Sequence, residues 1–279
     1  MCNFLKVLFR WESGGVKESK EDWKSEYLSL RLFGSNMCSR DAPRPSSSSR
    51  ASFLAFFEGW LGRQQAFLDE LIHMEDDDGD NGSEHLAQEM LSHYGDYYEE
   101  KAKIMREDIF LVLCPPWLTS FERAFLWVAG FKPSLVFRLL EASISDMISE
   151  QVEQLKELKS TATREEREVE EEMATVQERV GSPELMDLAR QVGQLVNGQV
   201  SDFNDAMKDL KQAMTNVVQR ADHLRRFVVL RVVGILSRKQ TIKFLIAAAK
   251  FQLWVRAWGL QKDGQGESGG STTNSYQAN

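Results

Sequence analysis

Proline is scarce, with 6 in 279 residues, so little stands in the way of long helices, which an interior proline would break. Cysteine is scarcer still. Cys2, Cys38 and Cys114 are scattered, odd in number and form no CxxC pair. That argues against a structural zinc and a disulfide framework, and for a reducing compartment. The 4 histidines are His73, His85, His93 and His223. His85 and His93 are eight residues apart, too far for an i, i+4 metal pair on one helix. HExxH, GxSxG, the P-loop and GxGxxG are all missing. With no catalytic constellation, the chain is expected not to be an enzyme and to need no cofactor.

Long apolar runs are missing as well. Nothing approaches the roughly 20 residues that cross a bilayer. The apolar start, Phe4 to Trp11, is interrupted by Lys6 and Arg10 and is followed by no small-residue cleavage site. Neither a signal peptide nor a membrane segment is therefore expected, which leaves the nucleus and/or cytoplasm. The formal net charge is −8. Repulsion between a chain this acidic and phosphate argues against direct binding to nucleic acid or anionic lipid. The acidic run Glu75 to Gly82 fails a calcium test. An EF-hand loop opened at Asp77 puts Gly79 and Gln88 at liganding positions, so a solvated connection is expected.

What the chain does contain is helical periodicity. The hydrophobic fraction is 42%, enough for a sizeable core. Residues 1–50, ending in Arg44-Pro45-Ser46-Ser47-Ser48-Ser49-Arg50, read as a disordered leader, and residues 263–279 as a disordered tail. Between them, 51–262 read as one domain. A first helix opens near Ser52, with Phe53, Phe56, Phe57, Trp60, Leu61, Phe67, Leu68, Leu71 and Ile72 recurring at three- and four-residue spacing. A second runs from Ser83 to about Leu113 and stops at Cys114-Pro115-Pro116. A short helix covers Ser120 to Val128, and another begins near Ser134. Val169, Met173, Val176 and Val180 form one apolar stripe on a highly charged helix. Phe203, Met207, Leu210, Met214, Val217, Ala221, Leu224 and Val228 alternate four- and three-residue steps, a seam better suited to packing within a bundle than to self-association. A last apolar helix ends at Gly259. The expectation is an all-α, single-domain bundle of about six to eight helices with disordered termini.

Two groups of residues stand out. Arg220, Arg225, Arg226 and Arg231 lie among apolar residues on one long helix. They read either as snorkelling surface cations or as a basic face for an acidic protein partner. The residues before Phe203 carry no dense basic block of the kind a basic leucine zipper needs. Trp60, Trp117, Trp127 and Trp258 sit where each would bury a large area.

The aromatic residues also carry a resemblance. Phe57-Glu58-Gly59-Trp60-Leu61, then Pro116-Trp117-Leu118-Thr119-Ser120-Phe121-Glu122-Arg123-Ala124-Phe125-Leu126-Trp127, Gly130-Phe131-Lys132-Pro133-Ser134, and Ala257-Trp258-Gly259 resemble the plant Delay of Germination domain. This is the body of seed-dormancy regulators and of the C-terminal half of TGA-type basic leucine-zipper transcription factors. The likeness covers about residues 50 to 262 and is nearer the stand-alone members. It implies regulation of seed development, dormancy or stress response, linked to abscisic acid signalling and to transcription. It also implies protein partners, type 2C protein phosphatases or transcriptional regulators among them. In the family's dormancy regulator two histidines on the last helix bind haem. The matching positions here are Gln252 and Arg256. Arginine has no free lone pair and glutamine is a poor ligand for iron, so haem binding of that kind is not expected.

Overall fold

The computed structural model describes residues 47–76, 83–183, 185–187 and 197–268. The expected leader up to residue 46, the acidic connection from Asp77 to Gly82 and the chain beyond 268 lie outside the described residues. Every regular element described is helical: α1 (Ser47–Asp76), α2 (Ser83–Glu107), α3 (Ile109–Leu113), α4 (Ser120–Ala124), α5 (Leu135–Ser143), α6 (Ser149–Val180), α7 (Asn197–Ile235) and α8 (Arg238–Ser268). The expected all-α architecture is what forms.

One half is built by α1, α2 and α8, which pack together with the short α4 and α5 laid against α8. On α1, Phe53, Phe57, Trp60, Gln64, Leu68 and Leu71 all fall on the buried face, as their three- and four-residue steps dictate. The other half is an α6–α7 hairpin. Val169, Met173 and Val176 of α6 are buried, as are Leu210, Met214, Val217, Ala221, Leu224 and Val228 of α7, whereas Val180, the last residue of the expected stripe, is exposed and Phe203 and Met207 at the start of the seam are half-buried. The pairing is antiparallel: Gln151 Nε2 donates to the Ile235 carbonyl at 2.9 Å, whereas Arg220 reaches Glu165, Glu168 and Glu172. The α7 seam is thus satisfied inside the chain, against α6.

Several boundaries differ from the sequence-based expectation. The first helix starts at Ser47, five residues earlier than Ser52. The helix expected to run to Leu113 breaks at Asp108, whose carboxylate accepts from Phe110 N at 2.9 Å and starts α3. An aspartate offers its own backbone this alternative to a continuous helix. The helix expected from Ser120 to Val128 ends at Ala124, because the chain turns sharply after it. The last helix does not stop at Gly259 but continues to Ser268. Its final turns are retained by α4: Asp263 accepts from the Ser120 amide at 3.0 Å and from the Ser120 hydroxyl. Those contacts also hold the Asp263 carboxyl below its usual range. Cys114 is disulfide-bonded. One such bond is not a disulfide framework, and the scattered cysteines gave no sign of it, since spacing along a chain does not say which distant cysteines meet.

Candidate functional site

The chain between α4 and α5 folds into a tight turn in which Trp127 N donates to the Gly130 carbonyl at 2.6 Å and Gly130 N donates back at 3.1 Å. Its two central residues, Val128 and Ala129, have φ of 43° and 61°. Left-handed backbone costs an L-residue roughly 1–2 kcal/mol, and more strain attends a β-branched one. Something must hold the turn.

Two buried cations from separate helices do so. Lys101 of α2 donates from Nζ to the Ala129 carbonyl and to Asp222 Oδ1, both at 2.8 Å. Arg225 of α7 donates from Nε to the Phe131 carbonyl at 2.7 Å, and from Nη2 to Val128 at 2.9 Å and to Trp127. Its remaining nitrogen, Nη1, meets Asp222 at 2.5 Å. Such charge-assisted bonds are the strong ones. Burial nevertheless pulls the Lys101 amine down from 10.5 to about 8, against the pull of Asp222 in the other direction. The Arg225 guanidinium also lies 5.2 Å from the Trp127 ring centre. This corrects the reading of Arg225 as part of a basic surface: it is buried. Arg220 is likewise engaged, by three glutamates of α6. Of that group only Arg226 and Arg231 are exposed with no ion pair among the described residues.

The motif residues acquire physical reasons. Gly130 packs so closely that a Cβ there would sit 2.7 Å from Arg225 Cζ. Trp127 Nε1 donates to Glu170 Oε1 of α6 at 2.7 Å, and Lys132 pairs with the same oxygen at 2.8 Å. Pro133 is buried, and the Ser134 amide behind it donates to Glu166 Oε1 at 2.6 Å. Glu166 is itself buried, and desolvation pushes its carboxyl up despite that bond and Lys132. Trp60 donates from Nε1 to the His93 carbonyl at 2.8 Å and stacks on the His93 ring at 4.6 Å. That burial lowers His93 to about 4. Trp117 is buried against Phe53, with ring centres 4.3 Å apart. Trp258 is only half-buried. It packs on Phe121, with ring centres 4.2 Å apart. Gly259 is where α8 touches the start of α4: a Cβ there would fall 2.1 Å from Thr119 Oγ1.

Thr119 needs that space because it caps α4. Its hydroxyl accepts from Glu122 N at 3.1 Å, and Glu122 Oε2 accepts from Thr119 N at 2.7 Å. Arg256 completes the arrangement, donating from Nη1 to Glu122 Oε2 at 2.9 Å and to the Trp117 carbonyl at 2.7 Å. Gln252 accepts from Gln64 Nε2 at 3.3 Å. The two positions that would hold haem therefore carry a guanidinium tied to a carboxylate and a carbonyl, and an amide. Neither fits an axial iron site.

Trp60, Trp117, Gly130, Pro133, Arg225, Arg226 and Gln252, all marked in the sequence, converge on the wall of one cavity of about 730 Å³. Trp258, Gly259, Arg220 and Arg231 lie outside that wall. Lys101, Asp222, His93, Glu122 and Glu166 were missed. Of these only Glu122 had a readable signal, the Thr-x-x-Glu capping box at Thr119. Among the described residues no cluster of His, Cys, Asp and Glu is arranged to hold a metal, and no helix is long and apolar enough to cross a membrane.

Comparison with known proteins agrees with the motif likeness. The family model for seed dormancy control, DOG1, matches residues 66–142. Protein ZW2 of Arabidopsis thaliana is 38% identical over 224 residues, covering 77% of this chain and 100% of that protein. Protein RESPONSE TO ABA AND SALT 1, also of Arabidopsis thaliana, is 38% identical over 222 residues, 76% of this chain and 96% of its own length. The Arabidopsis thaliana transcription factor TGA3 is 26% identical over 212 residues, 76% of this chain and 54% of the factor. The family model and the relatives matched along nearly their whole length lead to one assignment: the chain belongs to the DOG1 seed dormancy control family.

Proposed function

We propose that this protein is a non-enzymatic regulator that acts by binding other proteins and is linked to the control of transcription. Its setting is seed development, dormancy or stress response, within the nucleus and/or cytoplasm. The observation that carries this reading is the similarity along 96% of a relative named for its response to abscisic acid and salt. The region shared with a transcription factor supports the transcriptional link. The geometry is consistent with it. Lys101, Arg225, Glu122 and Arg256 are all committed to backbone groups and to ion pairs, the first two with Asp222 and the last two with each other, which is the chemistry of a scaffold. Protein partners of the type 2C phosphatase or transcriptional-regulator class fit this role. Affinity capture of the full chain from developing seed tests it: specific recovery of either class is expected, and repeated recovery of neither counts against it.

A second reading is a transcription-factor-related subunit that contacts DNA, directly or through a basic leucine-zipper partner. The similarity to TGA3 favours it. A gel shift with purified protein separates the two. A sequence-specific shift abolished by substituting the exposed Arg226 and Arg231 would favour DNA contact.

A further inference from the structure

The face of α7 that looks away from α6 is unusual. At 100° per residue, His223, Phe227, Leu230 and Gly234 fall on one narrow line along the helix. Arg226 falls about 60° to one side of it and Arg231 about 80° to the other. Ala221, Leu224, Val228 and Val232, on the opposite face, are buried against the hairpin and the body. The outward line is exposed: Phe227 keeps 38% of its surface in solvent and Leu230 keeps 49%, while Leu230 and the neighbouring Arg226 also border the 730 Å³ cavity. A Cβ at Gly234 would meet nothing within 4 Å. Arg226 and Arg231 are exposed, and no ion pair is formed by either among the described residues. A protein of net charge −8 therefore presents, on one rigid helix, an apolar strip edged by an arginine on each side.

We propose that this strip is a docking site for an acidic amphipathic helix of a partner protein. The inference rests on the protein-binding reading above and gives it a surface and a partner chemistry. The strip spans the twelve residues from His223 to Gly234, about 17 Å at 1.5 Å per residue. A helix of about three turns covers that length. Leucine-type side chains along the middle of such a helix lie over Phe227 and Leu230, and the absent side chain at Gly234 admits its backbone or a large residue. Carboxylates on both flanks meet Arg226 and Arg231, whose planar forks donate to them bidentately. Edge charges of this kind select the partner's sign and orientation more than they add affinity. The strip holds only two large apolar residues, so docking is of the transient class.

The test uses the full chain and a defined probe. The probe is a fluorescein-labelled, capped helical peptide of about 14 residues, made of Leu and Ala with Glu on both flanks. Its counterpart carries Lys for every Glu. Fluorescence anisotropy is expected to show saturable, salt-sensitive binding of the Glu peptide only. R226E/R231E is expected to weaken it at least about tenfold while creating binding of the Lys peptide. Phe227→Ala with Leu230→Ala is expected to weaken it without changing its salt dependence. All four positions are exposed, so thermal melts should match the parent chain. Equal binding of the two peptides, or binding indifferent to R226E/R231E, overturns the proposal. So does binding to phosphatidylserine vesicles with none to the peptide, or a self-associating chain that Leu230→Glu makes monomeric and that ignores the peptide. Capture from seed extract with the parent chain and R226E/R231E separates this inference from its basis. Phosphatase or transcriptional components held equally by both refute the surface alone; their absence from both refutes the regulator reading.

Discussion

Replacing Gly130 with alanine adds one methyl group, and the structure says where it goes. The new Cβ would lie 2.7 Å from Arg225 Cζ, 2.8 Å from Nε and 3.0 Å from Nη2. Ordinary contact begins near 3.4 Å, so the guanidinium must move. It cannot move without loss. Each of its nitrogens is engaged, with three carbonyls and Asp222 as partners, and only 6% of the side chain is exposed. Gly130 itself does not have a left-handed φ, so alanine brings no backbone penalty and the whole effect is steric. A hydrogen bond to a charged group is worth about 1.5–3 kcal/mol, and breaking a buried ion pair costs about 3–5 kcal/mol. Gly130→Ala is therefore expected to destabilise the fold by about 3–5 kcal/mol, lowering Tm by roughly 6–20 °C for a domain of about 200 residues. Urea unfolding followed by tryptophan fluorescence measures it. A double-mutant cycle then isolates the cause: in an Arg225→Ala background the methyl group has room, and Gly130→Ala should add almost nothing. A Gly130→Ala chain within about 1 kcal/mol of the parent, or two additive losses, refutes the clamp.

Three further outcomes are expected. Gly259→Ala drives a Cβ to 2.1 Å from Thr119 Oγ1; overpacking and a lost cap together predict about 2–4 kcal/mol of destabilisation by the same assay, and a change below about 0.5 kcal/mol would remove the close-approach argument. Lys101 is lowered to about 8 from an ordinary 10.5, so between those values the unfolded chain holds a proton that the folded chain has released. Stability from this group therefore rises with pH, by up to about 1.4 kcal/mol per unit, and the unfolding free energy of the parent minus that of Lys101→Met should climb from about pH 8 to about pH 10; a flat or falling difference would contradict it. The buried phenols of Tyr94, Tyr97 and Tyr98, all pushed upward by desolvation, are common to both chains and cancel. Titrated with hemin, the protein should give no saturable bis-histidine Soret shift, because α8 contains no histidine and Arg256 is tied to Glu122; such a shift would mean that ligands elsewhere were overlooked.

Periodicity made the fold legible because burial repeats along a helix. The steps of α1 and of the α7 seam found the buried faces, since an apolar side chain at a fixed angular position has one way to leave water, although Phe56, Leu61, Phe67 and Ile72 of α1 and Phe203 and Met207 of the seam are only half-buried. Boundaries were less legible where a single polar side chain decides them, as Asp108 does by capping α3 and Asp263 by retaining the last turns of α8. The site was half legible. Tryptophans and glycines marked where it is, yet what those glycines face could not be read. Gly130 matters because of Arg225, which lies 95 positions away in sequence, and Gly259 because of Thr119. Charged residues were hardest. Arg225 and Arg226 are neighbours with the same side chain, and only the helix phase separates the buried clamp from the exposed edge of the strip.

That adjacency also explains why the turn can afford its strain. Two left-handed residues, Val128 and Ala129, together cost about 2–4 kcal/mol. Lys101 and Arg225 answer with charge-assisted bonds to the carbonyls of Trp127, Val128, Ala129 and Phe131. Asp222 is the carboxylate that both cations share. An ordinary turn would need no such help, but it would also make no link. Because its carbonyls point at two cations on different helices, this one joins α2 to α7 across the cavity wall. Arg225 thereby fixes the rotation of α7 about its own axis. Turning α7 about its axis would pull the guanidinium from its carbonyls, so the exposed face one residue on, beginning with Arg226, is held at a set angle to the body of the domain.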